Sequence, residues 1–163
     1  PESALAVESR LLARAVEQLR KERDAAGALR TLEEYSERFP QGTLANEARF
    51  ARVEALLGQG NRAQALEMLE HAQLEGLPRT TELRLLKAEL LAEAGRCREA
   101  VPIFDALLAP QQDGALEERA LFGRAGCRAD LGEVAGSRLD LLRYLERFPS
   151  GRFADAARTA LGL

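Results

Sequence analysis

The sequence predicts an all-α protein built from helix pairs that repeat along the chain. Alanine, leucine, glutamate and arginine, which form helices readily, are frequent, whereas aromatic residues make up only 5% and tryptophan is absent. Apolar residues recur at spacings of three and four, which is the period of one helix face. In addition, a segment near the start of the 163-residue chain returns near its end with little change.

The repeat is clearest in residues 32–49 and 141–158, which agree at ten of eighteen positions, 109 residues apart. Weaker copies lie between them: a small residue recurs at steps of 37, 35 and 37, and a large apolar residue follows it four positions later. The small positions are Ala28, Ala65, Ala100 and Ser137, and the large ones are Leu32, Leu69, Phe104 and Leu141. We expect the small side chain where the two helices of a pair cross, because overpacking there costs about 1–3 kcal/mol.

Turn and stop signals then divide the chain into four helix pairs and one unpaired helix. The predicted spans are 3–22 and 25–39, 44–58 and 62–75, 80–94 and 97–109, 115–131 and 134–148, and 152–161. The turns within the pairs are Arg23-Asp24, Gly60-Asn61, Gly95-Arg96 and Gly132-Glu133. Proline cannot continue a helix, so the pairs are predicted to end near Pro40, Pro78, Pro110 and Pro149.

Local patterns support individual elements. The first helix carries apolar residues with helical spacing at Leu11, Leu12, Ala15, Val16 and Leu19. The seventh helix opens with Glu117 and Glu118, which complement the helix dipole. We expect Gly42 and Gly151 to supply a backbone φ that other residues resist. The last helix should cover the final pair as a cap.

Three features resemble the tetratricopeptide repeat (TPR) family. They are a unit of about 34 residues with two helices, the small and large positions above, and the terminal Pro40 and Pro149. The resemblance covers almost the whole chain. It implies an α-solenoid of about four and a half TPR-like helix-turn-helix repeats in a right-handed superhelix. Residues 1–163 would then form a single repeat domain, with units of roughly 3–40, 44–78, 80–110 and 115–149 and a capping helix at 152–161.

The ending RFPxGxxAxxA, at Arg38–Ala48 and Arg147–Ala157, is similar to bacterial envelope repeat proteins. These include the lipoprotein of the outer-membrane β-barrel assembly machine and the periplasmic partner of the Tol–Pal system. The resemblance implies a non-catalytic scaffold in the bacterial envelope or periplasm, with the cytoplasm as the alternative. Because the chain opens on Pro1 rather than methionine, we also expect a processed or excised domain.

The TPR resemblance further implies a concave groove lined by the first helices of the pairs. Glu17, Glu54 and Glu89 share one groove position, and Phe50, Leu85 and Phe122 share another. They would form an acidic ladder beside an apolar one, suited to a partner peptide or helix with basic or amide groups. Alternatively, Arg52, Lys87 and Arg124, which stand where the family usually has leucine, neutralise the acids in surface ion pairs worth about 0–1 kcal/mol.

Composition argues against several other functions. A net charge of −3 does not fit the basic stripe of a nucleic-acid binder, and no stretch is long and apolar enough to insert into a membrane. His71 is the only histidine; it has Glu70 and Glu75 nearby, but the pattern is typical of a solvated helix face, so we expect no catalytic site and no cofactor. Only Cys97, Cys127 and His71 could serve as soft metal ligands, too few for a structural zinc site, so we expect no metal. We expect Cys97 and Cys127 to lie buried as free thiols, with a disulfide as the alternative.

The sequence therefore predicts a non-enzymatic adaptor that holds a protein or peptide partner in its groove. The alternative is a structural oligomerisation or assembly domain that acts through its end faces, because the chain finishes on the apolar residues Ala160, Leu161 and Leu163. Such a domain could form a homo-oligomer through its C-terminal helix. An enzyme that depends on His71 is a third hypothesis, which no residue pattern supports.

Overall fold

The computed structural model describes residues 3–77, 79–109 and 114–163, and within these ranges the chain is helical, with no strand. The helices are α1 (Ala4–Glu17, continued by a π-helical turn over Gln18–Glu22), α2 (Ala25–Arg38), α3 (Ala45–Gly58), α4 (Arg62–His71), α5 (Thr80–Glu93), α6 (Cys97–Leu108), α7 (Gly114–Asp130), α8 (Val134–Arg147) and α9 (Ala154–Leu161). The predicted all-α fold of repeated helix pairs is confirmed.

Most helix ends lie within two residues of the predicted ones. The exception is α4, which ends at His71 instead of residue 75 because Ala72 adopts an extended backbone with φ −82° and ψ 135°. Pro78 and Pro110, two of the four predicted stops, lie outside the described residues.

The chain divides into two compact units, Pro1–Ala72 and Gln73–Leu163. In the first unit α2 packs between α1 and α3, α1 also touches α3, and α4 packs on α3. In the second unit α6 packs between α5 and α7, α5 also touches α7, and α8 packs between α7 and α9. In both units a second helix thus lies between its own first helix and the next one, as in stacked repeats. The interpretation of residues 1–163 as one domain stays a prediction.

The small repeat positions are buried, and their place at the helix crossings stays a prediction. Ala28, Ala65 and Ala100 are 0% exposed and Ser137 is 7% exposed. The large residues that follow them are also buried: Leu32, Leu69, Phe104 and Leu141. The repeat positions therefore form the core of each helix pair.

Three pairs turn in the same way, through a glycine after their first helix. Gly60, Gly95 and Gly132 have left-handed φ values of 74°, 74° and 80°, which glycine adopts at little cost. In each case the next N–H donates back to a helix carbonyl at 2.8 Å: Asn61 to Leu56, Arg96 to Leu91, and Glu133 to Arg128. This hydrogen bond closes a Schellman motif, so the predicted turn signals are confirmed.

Gly42 and Gly151 have a different role from the predicted one. Neither has a positive φ, so the expectation of an unusual backbone angle is wrong. Both glycines make room for neighbouring side chains. A Cβ on Gly42 would lie 2.8 Å from the hydroxyl oxygen of Tyr35, and one on Gly151 would lie 2.9 Å from the Cβ of Phe148.

Cys97 and Cys127 form a disulfide, so the expectation of two free thiols is wrong. Cys97 begins α6, Cys127 lies in the last turn of α7, and the packing of these helices brings the two Cα atoms to 5.0 Å. Both residues are buried, at 4% and 2% exposure. The separation of 30 residues conceals the pairing in the sequence, because only helix packing brings the two positions together.

Candidate functional site

Three of the predicted groove residues lie in the first unit. Glu17 is exposed at the end of α1, where its carboxylate pairs with Lys21 at 3.1 Å. Phe50 and Glu54 are half-buried and lie one turn apart on α3. A cleft of about 290 Å³ in this unit is lined by residues of α2, α3 and α4, and none of the three is among its lining residues.

The other three predicted residues lie in the second unit, and the structure separates them. Leu85 on α5 is 0% exposed, so it belongs to the core and offers no surface to a partner. Glu89 on α5 and Phe122 on α7 line one cleft of about 510 Å³. We call this cavity the second-unit cleft and leave Leu85 out of it.

The second-unit cleft is built from α5, α6, α7 and the segment that leads into α9. Phe104 of α6 is 0% exposed and lines the cleft together with Gly123 of α7. A Cβ on Gly123 would lie 2.6 Å from the Phe104 ring. A larger residue at position 123 would therefore overlap the buried ring, so glycine allows the close packing of α7 on Phe104.

Two phenylalanine rings form the apolar wall of the cleft. Phe122 and Phe153 stack with their centroids 4.4 Å apart and their planes 5° from parallel. The Tyr144 ring packs against Phe122 at 6.0 Å, in an edge-on arrangement. Phe122 and Phe153 are both half-buried, so part of each ring remains available to a bound group.

A hydrogen-bonded bridge holds the segment that carries Phe153. Tyr144 donates its hydroxyl to the Glu118 carboxylate at 2.6 Å and accepts the Phe153 N–H at 2.9 Å. Glu118 also accepts the Arg152 N–H at 2.7 Å. The segment before α9 is thereby attached to both α7 and α8, and Arg152 and Phe153 are fixed at the cleft.

The first unit contains the same bridge. Tyr35 donates its hydroxyl to Glu8 at 2.7 Å, and Glu8 accepts the Leu44 N–H at 3.1 Å. Burial, followed by the hydrogen bond to Glu8, raises the pKa of Tyr35 to about 12. Burial and the hydrogen bond to Glu118 likewise raise the pKa of Tyr144 above its ordinary value.

Sequence reasoning missed this bridge, although part of it was visible. The tyrosines repeat at the same position, but the glutamates precede them by 27 and 26 residues. This difference of one residue hides the match when the repeats are aligned. Phe153, Arg152 and Arg119 were also missed, because the repeat pattern does not show which polar side chains reach the cleft.

The acidic residue of the cleft is already paired. Arg119 binds Glu89 through two hydrogen bonds, of 2.8 and 2.5 Å, and the bond to Glu89 raises the pKa of Arg119. Arg124, one of the predicted neutralising cations, instead binds Asp140 at 2.6 Å and Asp105 at 2.7 Å. Glu89 is therefore neutralised by a residue of α7, which is the first helix of the following pair.

Arg152 is a second cation of the cleft, besides Arg119. Its side chain is exposed, and its guanidinium carbon lies 5.4 Å from the centroid of the Phe153 ring, a distance typical of a cation–π contact. Among the described residues, no carboxylate forms an ion pair with its guanidinium. Arg152 thus places a positive charge without an ion-pair partner beside the aromatic wall.

The side chains of the cleft offer aromatic rings and charged groups. Within the described ranges, no group of three or more His, Cys, Asp or Glu side chains is arranged to hold a metal ion. His71 lies in the first unit, at the end of α4, with its Nδ1 2.8 Å from the Glu67 carbonyl oxygen. The cleft can receive an apolar side chain on its rings and a charged group at its rim.

Comparison with known families identifies the architecture. The tetratricopeptide repeat family matches residues 50–115 and residues 85–152, which together cover more than half of the chain. The chain belongs to the tetratricopeptide repeat family. TPR repeats are non-catalytic and generally mediate protein–protein interactions. No curated protein matches this TPR chain significantly.

In the part of this chain that the structure describes, no helix has the length and apolar character needed to cross a membrane.

Proposed function

We propose that this TPR chain is a non-enzymatic scaffold that binds a peptide or helix of a protein partner in the second-unit cleft. The observation that carries the proposal is the half-buried ring pair of Phe122 and Phe153 on the wall of a cleft of about 510 Å³. Aromatic residues in partly open pockets commonly dominate binding energy, and the volume is typical of binding sites. Phe50, Glu54 and Glu17 are candidates for a second contact, in the first unit.

The test is partner capture by variants of the full chain. Phe122→Ala and Phe153→Ala should each weaken capture of the native partner by about 2 kcal/mol or more, as loss of an interface anchor does. Leu142→Ala is the matched control, because Leu142 is an apolar residue exposed on α8 and not a lining residue of the cleft. Thermal melts establish that each variant is folded. Unchanged capture by the folded phenylalanine variants would reject this cleft.

We also propose that the scaffold acts in a bacterial envelope complex. Two observations support this: the similarity of the RFPxGxxAxxA ending to envelope repeat proteins, and the Cys97–Cys127 disulfide. Disulfides persist in oxidising compartments and are rare where glutathione keeps thiols reduced. Cells of the native organism are quenched in acid, the thiols are alkylated under denaturing conditions, and mass measurement of the protein then tests the location. Alkylated Cys97 and Cys127 would favour the cytoplasm instead.

An assembly domain that acts through its end face is the second candidate. It is favoured by Leu163, which is 76% exposed and lies near the exposed Ala160. Leu161 is only 7% exposed and belongs to the core, so a charge there would disturb folding and would not test association. Leu163→Glu is the suitable variant. Light scattering that shows a dimer broken by Leu163→Glu would support this candidate, and a monomer at all concentrations would reject it.

A further inference from the structure

The charges of the second-unit cleft point to the chemistry of its partner, and this inference rests on the proposed binding function. We infer that the bound segment carries a large apolar or aromatic side chain with an aspartate or glutamate one or two residues away. The sequence alone favours a basic or amide-bearing partner, through Glu54 and Glu89. The arrangement of the side chains in the second unit supports the opposite charge.

The acidic groups of the cleft are not available to a basic partner. Glu89 is held in a two-pronged pair with Arg119, and its side chain is only 25% exposed. A basic group would have to replace a charge-assisted pair of good geometry. Glu93, the other acid of the lining, is not free either. The Oε1 atom of Glu118 already accepts the Tyr144 hydroxyl and the Arg152 N–H.

Arg152 is available to an acidic partner. Its guanidinium lies at the cleft rim without an ion-pair partner in the described part of the chain. Its backbone N–H is held by the hydrogen bond to Glu118, so the side chain extends from an anchored point of the main chain. A guanidinium binds a carboxylate through two parallel hydrogen bonds. Binding an acid would therefore gain a contact without breaking an existing pair.

The distance between the two features sets the spacing within the bound segment. The guanidinium carbon of Arg152 lies 5.4 Å from the centre of the Phe153 ring. An extended peptide advances about 3.3 Å per residue. A side chain that rests on the rings and a carboxylate that reaches Arg152 are thus one or two residues apart.

The experiment begins with a random peptide library, displayed with its carboxyl end fused to the carrier so that only side-chain carboxylates are offered. Selection on the full chain should enrich an aromatic or large aliphatic residue with an acid within two positions. The strongest peptide and its Asp→Asn or Glu→Gln counterpart are then synthesised for affinity measurement. The amide counterpart should bind about 10- to 100-fold more weakly, because a hydrogen bond to a charged group contributes about 1.5–3 kcal/mol.

Variants assign that loss to Arg152. Arg152→Gln should weaken binding of the acidic peptide to the same extent and leave the affinity for the amide peptide unchanged. Arg152→Lys should retain part of the affinity for the acidic peptide. Arg138→Gln is the matched control, since Arg138 is exposed on α8 and does not line the cleft. Thermal melts confirm folding; the exposed Arg152 side chain can be changed without touching its backbone bond.

The outcomes separate this inference from the proposed function. Selected peptides that are basic or neutral and depend on Phe122 would overturn the inference and leave the binding function standing. Peptides that are insensitive to both Arg152→Gln and Phe122→Ala would overturn both. A library that yields no peptide above background would overturn the inference, while partner capture would decide the function separately.

Discussion

Tyr35 and Tyr144 each join two helices and the loop that follows them through one hydroxyl–carboxylate pair. Tyr35 lies on α2, Glu8 on α1, and the Leu44 N–H that Glu8 accepts precedes α3. Glu8 is 4% exposed, and a buried carboxylate is stable only when its hydrogen bonds are satisfied. The repeated tyrosine therefore takes part in a specific polar connection in both units, in addition to apolar packing.

Removal of one hydroxyl should test this connection. Tyr35→Phe leaves the buried Glu8 carboxylate without one of its donors, so we expect the free energy of unfolding to fall by roughly 1–3 kcal/mol. Urea denaturation measures the change. Ser36→Ala removes an exposed hydroxyl from the adjacent position and should change stability by less than about 0.5 kcal/mol. Equal losses in the two variants would contradict the role of the bridge.

The tyrosines should also make the protein sensitive to alkali. The pKa of Tyr35 is raised to about 12, so the fold favours the neutral phenol. The resulting stability is complete below the unfolded pKa of about 10 and is lost as the pH rises towards 12. The chain has two tyrosines and no tryptophan, so tyrosinate absorbance reports these residues alone. If the tyrosines of the native protein ionised with midpoints near pH 10, equal to the midpoints in denaturant, the expectation would be refuted.

At the level of single residues, the candidate site could be predicted only in part. Phe122 and Leu85 share a repeat position, yet Phe122 is half-buried and Leu85 is fully buried. The neighbouring elements account for the difference. Leu85 lies on α5, which packs against both α6 and α7. Phe122 lies on α7, and the next helix at the first position of a pair is the short α9, Ala154–Leu161. Repeat spacing gives equivalent positions but not the elements that cover them.

Among the helices, α7 has two glycines in its interior, Gly123 and Gly126, and their surroundings contrast. A Cβ on Gly123 would meet the Phe104 ring at 2.6 Å, whereas one on Gly126 would meet nothing within 4 Å. Gly123→Ala should therefore destabilise the protein by about 1–3 kcal/mol through overpacking. Gly126→Ala should stabilise it by about 0.5–1 kcal/mol, since alanine is the better helix former. Chemical denaturation compares the free energies of unfolding of the two variants. If both were stabilised or both destabilised, this assignment would be contradicted.

The covalent link between α6 and α7 should contribute strongly to stability. For a loop of 30 residues, constraint of the unfolded chain corresponds to about 3–4 kcal/mol. The double variant Cys97→Ala, Cys127→Ala should lose roughly that amount in urea unfolding. A reductant should lower the stability of the wild type and leave the double variant unchanged. A wild type that is indifferent to reductant would show that the bridge has no stabilising effect.

Sequence signals were sufficient for elements with a local cause. The glycine turns after α3, α5 and α7 follow from the left-handed φ that a single residue supplies. The end of α4 could not be predicted in this way, because residues 72–75 contain no glycine or proline. The disulfide likewise depends on the contact between α6 and α7, which no local signal specifies.

For the molecule as a whole, the repeat of small residues is the feature on which the architecture depends. Ala65 of the first unit and Ala100 of the second are both 0% exposed. Ala65→Leu and Ala100→Leu should each cost about 1–3 kcal/mol, because the helices of a pair would be forced apart. Ala106→Leu, on the exposed face of α6, is the control. A loss of stability in the control as large as in the core variants would contradict the crossing-point role.

The periodic positions made this architecture predictable, since each follows from a pair of helices that must approach closely. The charges of the second-unit cleft were not predictable, because Arg119 meets Glu89 only after two helices stack. Packing rules that repeat are thus visible in one sequence. Contacts made once, by side chains far apart in the chain, become visible only in the folded molecule.

The bridge between Cys97 and Cys127 encloses the whole connection from α6 to α7. A protease that cuts this connection once would leave the two fragments covalently attached to each other. They would run as one band on a gel without reductant and as two bands with it. Intact mobility under oxidising conditions is therefore no proof of an uncut backbone in this protein.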